Sequence, residues 1–149
     1  MQSQIAKLAV FVFNINQPTR ERMKKEKLTI EYPLNNASEA ILWKMIGTPL
    51  GLAEWFSDAV TVEGNEYTFS WEGHEQIAIL KQVKEGKLIC FQWEDDKDTE
   101  AYFQLEIVSL DLSGHVGLIV TAYATPGERE DAILLWNKQV ENLCRIGGM

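Results

Sequence analysis

Two histidines, two cysteines and one knot of acids are the side chains in this sequence best suited to chemistry. A histidine moves protons near neutral pH, but catalysis also needs an orienting carboxylate and a positioned substrate. His74 has Glu72 and Glu75 close by, in a stretch that reads as a hairpin turn, where such neighbours meet mainly solvent. His115 falls in another turn. No catalytic residue is expected from either. Cys90 and Cys144 belong to no CxxC and no Cys/His cluster, so neither a disulfide framework nor a zinc site is expected. They read as reduced, mostly buried thiols, and the expected location is cytoplasmic. "EDDKDTE" (94–100) packs five acids around Lys97 but lacks the glycine and ligand register of a calcium loop. It reads as the solvated end of a hairpin. GxSxG, HExxH, P-loop and GxGxxG patterns are absent. No metal and no cofactor is expected.

The 149 residues fit one domain with a core that needs no staples. The net charge of −8 is uneven. Residues 1–27 hold six Lys/Arg against two acids, net +4, which leaves −12 on residues 28–149. A body that acidic repels phosphate backbones, so no nucleic-acid partner is expected. No run approaches the ~20 apolar residues of a membrane span, so no membrane insertion is expected. The apolar stretch from Leu8 to Phe13 is short, is interrupted by Asn14, and has no cleavage site of a signal peptide after it. The Pro-broken, charged "NQPTRERMKKEK" that follows marks residues 1–22 as an N-terminal extension or linker, with the domain at 23–149.

The domain opens on "KLTIEYPL", whose apolar Leu28, Ile30 and Tyr32 alternate with polar residues as in a half-buried strand. "NNASEAILWKMIG" then predicts a helix capped by Asn36 with Glu39 as its capping-box partner, ended by Gly47 and Pro49. "LGLAEWF" predicts a second short helix. Six strands follow, separated by the Gly turns "EGNE", "WEGH", "KEGK" and "LSGH" at hairpin spacing, which predicts an antiparallel meander. A long final helix is expected from Thr125 as cap, Pro126 at the first position and Glu128 as box partner. Its stripe runs through Ile133, Trp136, Val140, Leu143 and Cys144 to the stop at "GG". The class is α+β, and the sheet must curl around that helix to hide its apolar face.

Alternation assigns the faces. Tyr67, Phe69 and Trp71 share one side of their strand; Ile89, Phe91 and Trp93, then Ala101, Phe103, Leu105 and Ile107, do the same on theirs. Leu118, Val120 and Ala122 should also point inward. With Trp136 and Val140 from the helix, these positions put many large rings into one interior. Each ring covers about 150–250 Å² when buried. Such an interior either packs solid or leaves a pocket for a small ligand. Few polar groups are placed to orient that ligand. Asn137, beside the helix stripe, is the candidate.

"LWKMIGTPLGLAEWF" resembles the signature of START-like (SRPBCC) domains related to the activator of the heat-shock protein 90 ATPase. In that family a Trp begins a helix, a Thr-x-Pro-type break follows, and a Leu-x-x-Trp-Phe segment leads into the second strand. Trp43, Thr48, Pro49, Leu52, Trp55 and Phe56 stand at these positions, with Pro49 directly after Thr48 rather than one residue on. "VKEGKLICFQWE" is similar to the family's turn and Trp-bearing strand, and "LLWNKQVENL" to its closing helix, with Leu135 in place of a Gly. The likeness covers about residues 26–146. It implies the helix-grip: a curved antiparallel sheet wrapped around a long C-terminal helix, two short helices after the first strand, and a cavity between sheet and helix. On that fold Trp55 and Phe56 would plug one end, one ring sealing the core and the other bordering the cavity mouth.

The residues and the resemblance imply three functions. The first is non-enzymatic binding of a small hydrophobic or amphipathic ligand in the grip, lined by the rings named above with Asn137 and Val140. The alternative is a protein-interaction module of the co-chaperone kind that the resemblance implies, its acidic body docking on a chaperone or another basic partner. A cyclase or hydrolase would need a buried acid/base pair, and the inward positions offer none.

Overall fold

Residues 24–110 and 114–149 are described by a computed structural model; the expected extension over 1–22 lies outside them. The chain runs β1 (Glu26–Leu34), α1 (Glu39–Gly47), α2 (Pro49–Trp55), then β2 (Ala59–Glu63), β3 (Glu66–Trp71), β4 (His74–Lys84) and β5 (Leu88–Trp93). A 3-10 turn (Glu94–Asp96) leads to β6 (Phe103–Ser109) and β7 (Val116–Ala124), and the 3-10 turn Pro126–Glu128 leads into α3 (Arg129–Gly147). The seven strands form one antiparallel sheet in the order β1-β7-β6-β5-β4-β3-β2. The expected meander is therefore present, with the first strand added beside the last. A bulge between Leu80 and Gln82 breaks the β4–β5 register, and such an insertion bends a strand and increases its twist. The sheet curves around α3, the helix-grip that the patterning and the resemblance implied.

The inward sets are as alternation predicts. Phe69, Phe91, Leu105, Leu118 and Val120 are fully buried, and Trp136 and Val140 of α3 join them in one core. On the opposite face of β5, Leu88 and Cys90 are also buried, so this central strand is shielded on both sides.

Two helix starts differ from expectation. Ser38, not Asn36, caps α1: its hydroxyl accepts from the backbone N–H of Ile41 at 3.1 Å. Glu39 is then the first helical residue rather than the box partner. Several small polar residues precede this helix, and only the one with extended φ/ψ next to the first turn can receive that N–H. At α3, the Thr125 and Glu128 pair does meet, but side chain to side chain, with the hydroxyl donating to the carboxylate at 2.7 Å. The proline turn is 3-10, and the α-helix proper begins at Arg129. Its C-terminus agrees with the sequence: Gly148 caps it in the left-handed region at φ 70°.

Candidate functional site

The pair Trp55-Phe56 ends α2, and both rings are fully buried. Helix ends leave carbonyls without intrahelical partners, and here other elements supply the donors. The Phe56 carbonyl accepts from the Trp71 indole N–H at 2.9 Å and from the Gln139 amide at 3.1 Å. The Trp55 carbonyl accepts from the Asn142 amide at 3.2 Å. Trp55 in turn donates its own indole N–H to the Met45 carbonyl at 2.7 Å. Three bonds thus tie the end of α2 to β3 and α3, and the fourth ties α2 to α1.

Phe56 is the hub of the ring cluster. Its centroid lies 5.2 Å from Phe69 and 5.6 Å from Trp71 in edge-to-face contacts. It also stacks on Phe103 at 5.7 Å and on Trp136 at 5.9 Å. This corrects the expectation that one of the Trp55-Phe56 rings borders a cavity mouth. Phe56 occupies the middle of the space between sheet and helix, because the carbonyl bonds pull the end of α2 inward. Phe91 and Val140 lie in the same packed interior.

Trp93 is placed differently. It is half-buried at the end of β5, stacked on Phe103 at 4.8 Å and tilted against Trp71 at 6.1 Å. Beside it the β4–β5 ladder stops at the Ala78–Trp93 pair, and the chain leaves the sheet through the 3-10 turn. The strands part there and open a notch of about 160 Å³, lined by Glu75, Gln76, Ile77, Trp93, Glu94 and Asp95. The acid-rich segment 94–100 therefore lands on the rim of a tryptophan. Asp96, the next residue, turns inward and is buried against Lys25 at 3.0 Å, which straps the start of β1 to this turn.

Asn137 is not a contact of the interior. It is exposed on the flank of α3, and its amide oxygen accepts from the Tyr32 hydroxyl of β1 at 2.7 Å. The helix stripe turns past it, so the position takes the edge strand as neighbour. The polar residues of α3 that do face inward are Gln139 and Asn142, which sequence reasoning missed. Gln139 sits three residues after Trp136 and four before Leu143, so the period of the stripe contained the signal.

The histidines stand at opposite ends of the sheet, His74 opening β4 and His115 preceding β7, and both are exposed. Burial pushes both thiols above the ordinary cysteine range, Cys90 against the opposing pull of Lys81, so neither is an activated nucleophile. Among the described residues no group of three or more His, Cys, Asp or Glu is arranged to hold a metal. No described helix is long and apolar enough to cross a membrane.

A family model described as a START-like superfamily domain matches residues 22–149. A solution structure from Bacteroides fragilis is 36% identical, with 83% of this chain and 92% of that chain covered and a TM-score of 0.61. The Aha1 dimer from Colwellia psychrerythraea matches at 14% identity, covering 81% of this chain and 93% of that one, with a TM-score of 0.62. An uncharacterized Bacillus thuringiensis protein matches at 11% identity and a TM-score of 0.65, covering 85% of this chain and 100% of that one. The last two likenesses are of fold. No curated protein matches the sequence. With the helix-grip in place over the matched residues, this chain belongs to the START-like superfamily.

Proposed function

We propose that this domain binds a small amphipathic molecule at the Trp93 end of the grip. The apolar part of that molecule enters beside Trp93 and rests on Phe103 and Trp71. The observation that carries this reading is the contrast among the rings: Phe56, Phe69, Phe103 and Trp136 are buried in mutual contact, while Trp93 reaches the surface next to a notch. A ligand cannot enter an interior already filled by rings unless one of them yields. Trp93 is the least buried of these rings. Small-molecule sites are usually about 300–1,000 Å³, and swinging this indole outward enlarges the notch of about 160 Å³ toward that range. Apolar burial then drives binding, at about 25 cal/mol per Å² before the entropic costs.

The alternative, docking of the acidic body on a basic protein partner, draws support from the net −12 carried by residues 28–149. Native mass spectrometry of the protein purified gently from its own source separates the two readings. A small organic molecule should travel with the chain, and Trp93→Ala should lower its affinity about tenfold or more. Undiminished binding by Trp93→Ala overturns the siting. A co-purifying basic protein in place of the small molecule turns the function to docking.

A further inference from the structure

Among the described residues, one buried side-chain oxygen lacks a hydrogen-bond partner, the Oε2 of Glu128. Such an orphan is costly, the more so when it carries charge, and it calls for a physical reason. Capping is not the reason, because the Glu128 side chain makes no bond to the first turn of α3. Nor is an ion pair, since no described residue forms one with it. Its Oε1 accepts from the Thr125 hydroxyl at 2.7 Å, which fixes one edge of the carboxylate. The residue as a whole is only half-buried, so water lies within reach, yet Oε2 is shut away from it. The inward side chains nearest along the chain are Ala124, which ends β7, and Ala132, one turn into α3. Neither offers a donor. Ala124 pairs with Glu26 at the start of β1, and Lys25 beside it bonds Asp96, three residues after Trp93. Glu128 therefore stands at the Trp93 end of the grip, about 12 Å along the axis of α3 from Trp136.

We infer that Glu128 Oε2 is the acceptor for the ligand's polar head, and that this head is a neutral hydroxyl, so the ligand class is an apolar alcohol. The inference rests on the reading that the grip takes up a small amphipathic molecule, but not on which ring yields to admit it. The count of donors decides among the heads. A hydroxyl brings one O–H to one oxygen without a partner, and a charge-assisted bond of that kind is among the stronger ones. An ammonium brings three N–H donors. With Oε1 held by Thr125 and only methyl groups on Ala124 and Ala132, two of the three would stay unpaired. An ether or ester head has no donor and leaves Oε2 as it was. A fatty-acid carboxylate or a phosphate would set a like charge against Glu128.

Three probes test this on the full chain by titration calorimetry: 1-octanol, heptyl methyl ether, which has the same atoms but no donor, and octylammonium. Salt at about 0.3 M screens the long-range pull of the acidic body on the cation. Octanol should bind about tenfold tighter than the ether, and octylammonium no tighter than octanol. Glu128→Gln keeps the shape and an oxygen for Thr125 but puts an amide donor in place of Oε2. That donor serves alcohol and ether alike, so the preference should vanish, as it should in Glu128→Leu, which removes both oxygens. Glu130→Gln makes the same change of charge at an exposed position of the next turn and should keep the preference. Equal binding of alcohol and ether by the parent chain overturns the assignment, as does tighter binding of octylammonium. A preference that survives in either Glu128 variant, or is lost equally in Glu130→Gln, overturns it too. If no probe binds the parent chain, the binding reading itself falls, an outcome distinct from binding without preference.

Discussion

The carbonyl of Phe56 receives two side-chain donors from two different elements, the Trp71 indole and the Gln139 amide. A buried carbonyl that loses one donor keeps part of its satisfaction, so the loss should be moderate. Gln139→Leu preserves much of the volume and removes the amide, and should cost about 1–2 kcal/mol. Gln139→Glu should cost more, because it buries a charge whose oxygens repel that carbonyl. Urea denaturation checks both, with a lowered midpoint at constant slope expected. A midpoint equal to that of the parent chain for both variants would show that Gln139 does not help hold the α2 end. The sequence made the ring types at these positions legible, because Trp and Phe alternate with polar residues along β3, β5 and β6. It did not reveal that Phe56 fills the interior. Alternation tells which face a side chain takes, not how far the backbone behind it is drawn in by hydrogen bonds from distant residues.

Between elements, the corner from α1 to α2 shows what the Thr-Pro break accomplishes. The Thr48 hydroxyl donates to the Lys44 carbonyl at 2.7 Å and accepts from the Gly51 N–H at 3.0 Å, closing one helix and opening the next. The two helices meet so tightly that a Cβ on Gly51 would lie 2.0 Å from the Lys44 carbonyl oxygen and 2.7 Å from the Met45 Cα. Both are backbone atoms and cannot turn aside. Gly51→Ala should therefore force the helices apart and cost about 2–3 kcal/mol or more, read as a fall in melting temperature. Equal melting temperatures for the two proteins would mean that the corner can flex as no packed backbone should. Helix and strand order was legible in full from periodicity and turn residues. The caps were read less well, since Asn35, Asn36 and Ser38 all precede α1 and the choice depends on φ/ψ rather than on type. The notch was not legible either. It arises where β5 leaves the sheet while β4 continues, a mismatch of strand ends that no single segment encodes.

At the scale of the whole molecule, the first strand closes against the last strand and the last helix. Tyr32 of β1 donates its hydroxyl to Asn137 of α3 across 105 residues of sequence, so one bond reports on the joining of the domain's two ends. Burial pushes the Tyr32 phenol up to about 12 from an ordinary value near 10. The fold thus favours the protonated phenol, and the sign follows: this contribution is complete below about pH 10 and is lost as pH rises through 12. Tyr32→Phe keeps the ring and removes the titrating group. Below pH 10 the parent chain should be the more stable by about 0.5–1.5 kcal/mol, the net worth of one hydrogen bond. Between pH 10 and 12 that margin should vanish and then reverse, because the phenolate can no longer donate and places a charge in a half-buried site. Tyr67 and Tyr123 also titrate late through burial, but they are present in both proteins and cancel in the difference. Paired melting curves at pH 8, 10 and 11.5 measure the margin directly, and curves that stay parallel over this range would mean that the Tyr32–Asn137 bond does not contribute to closure.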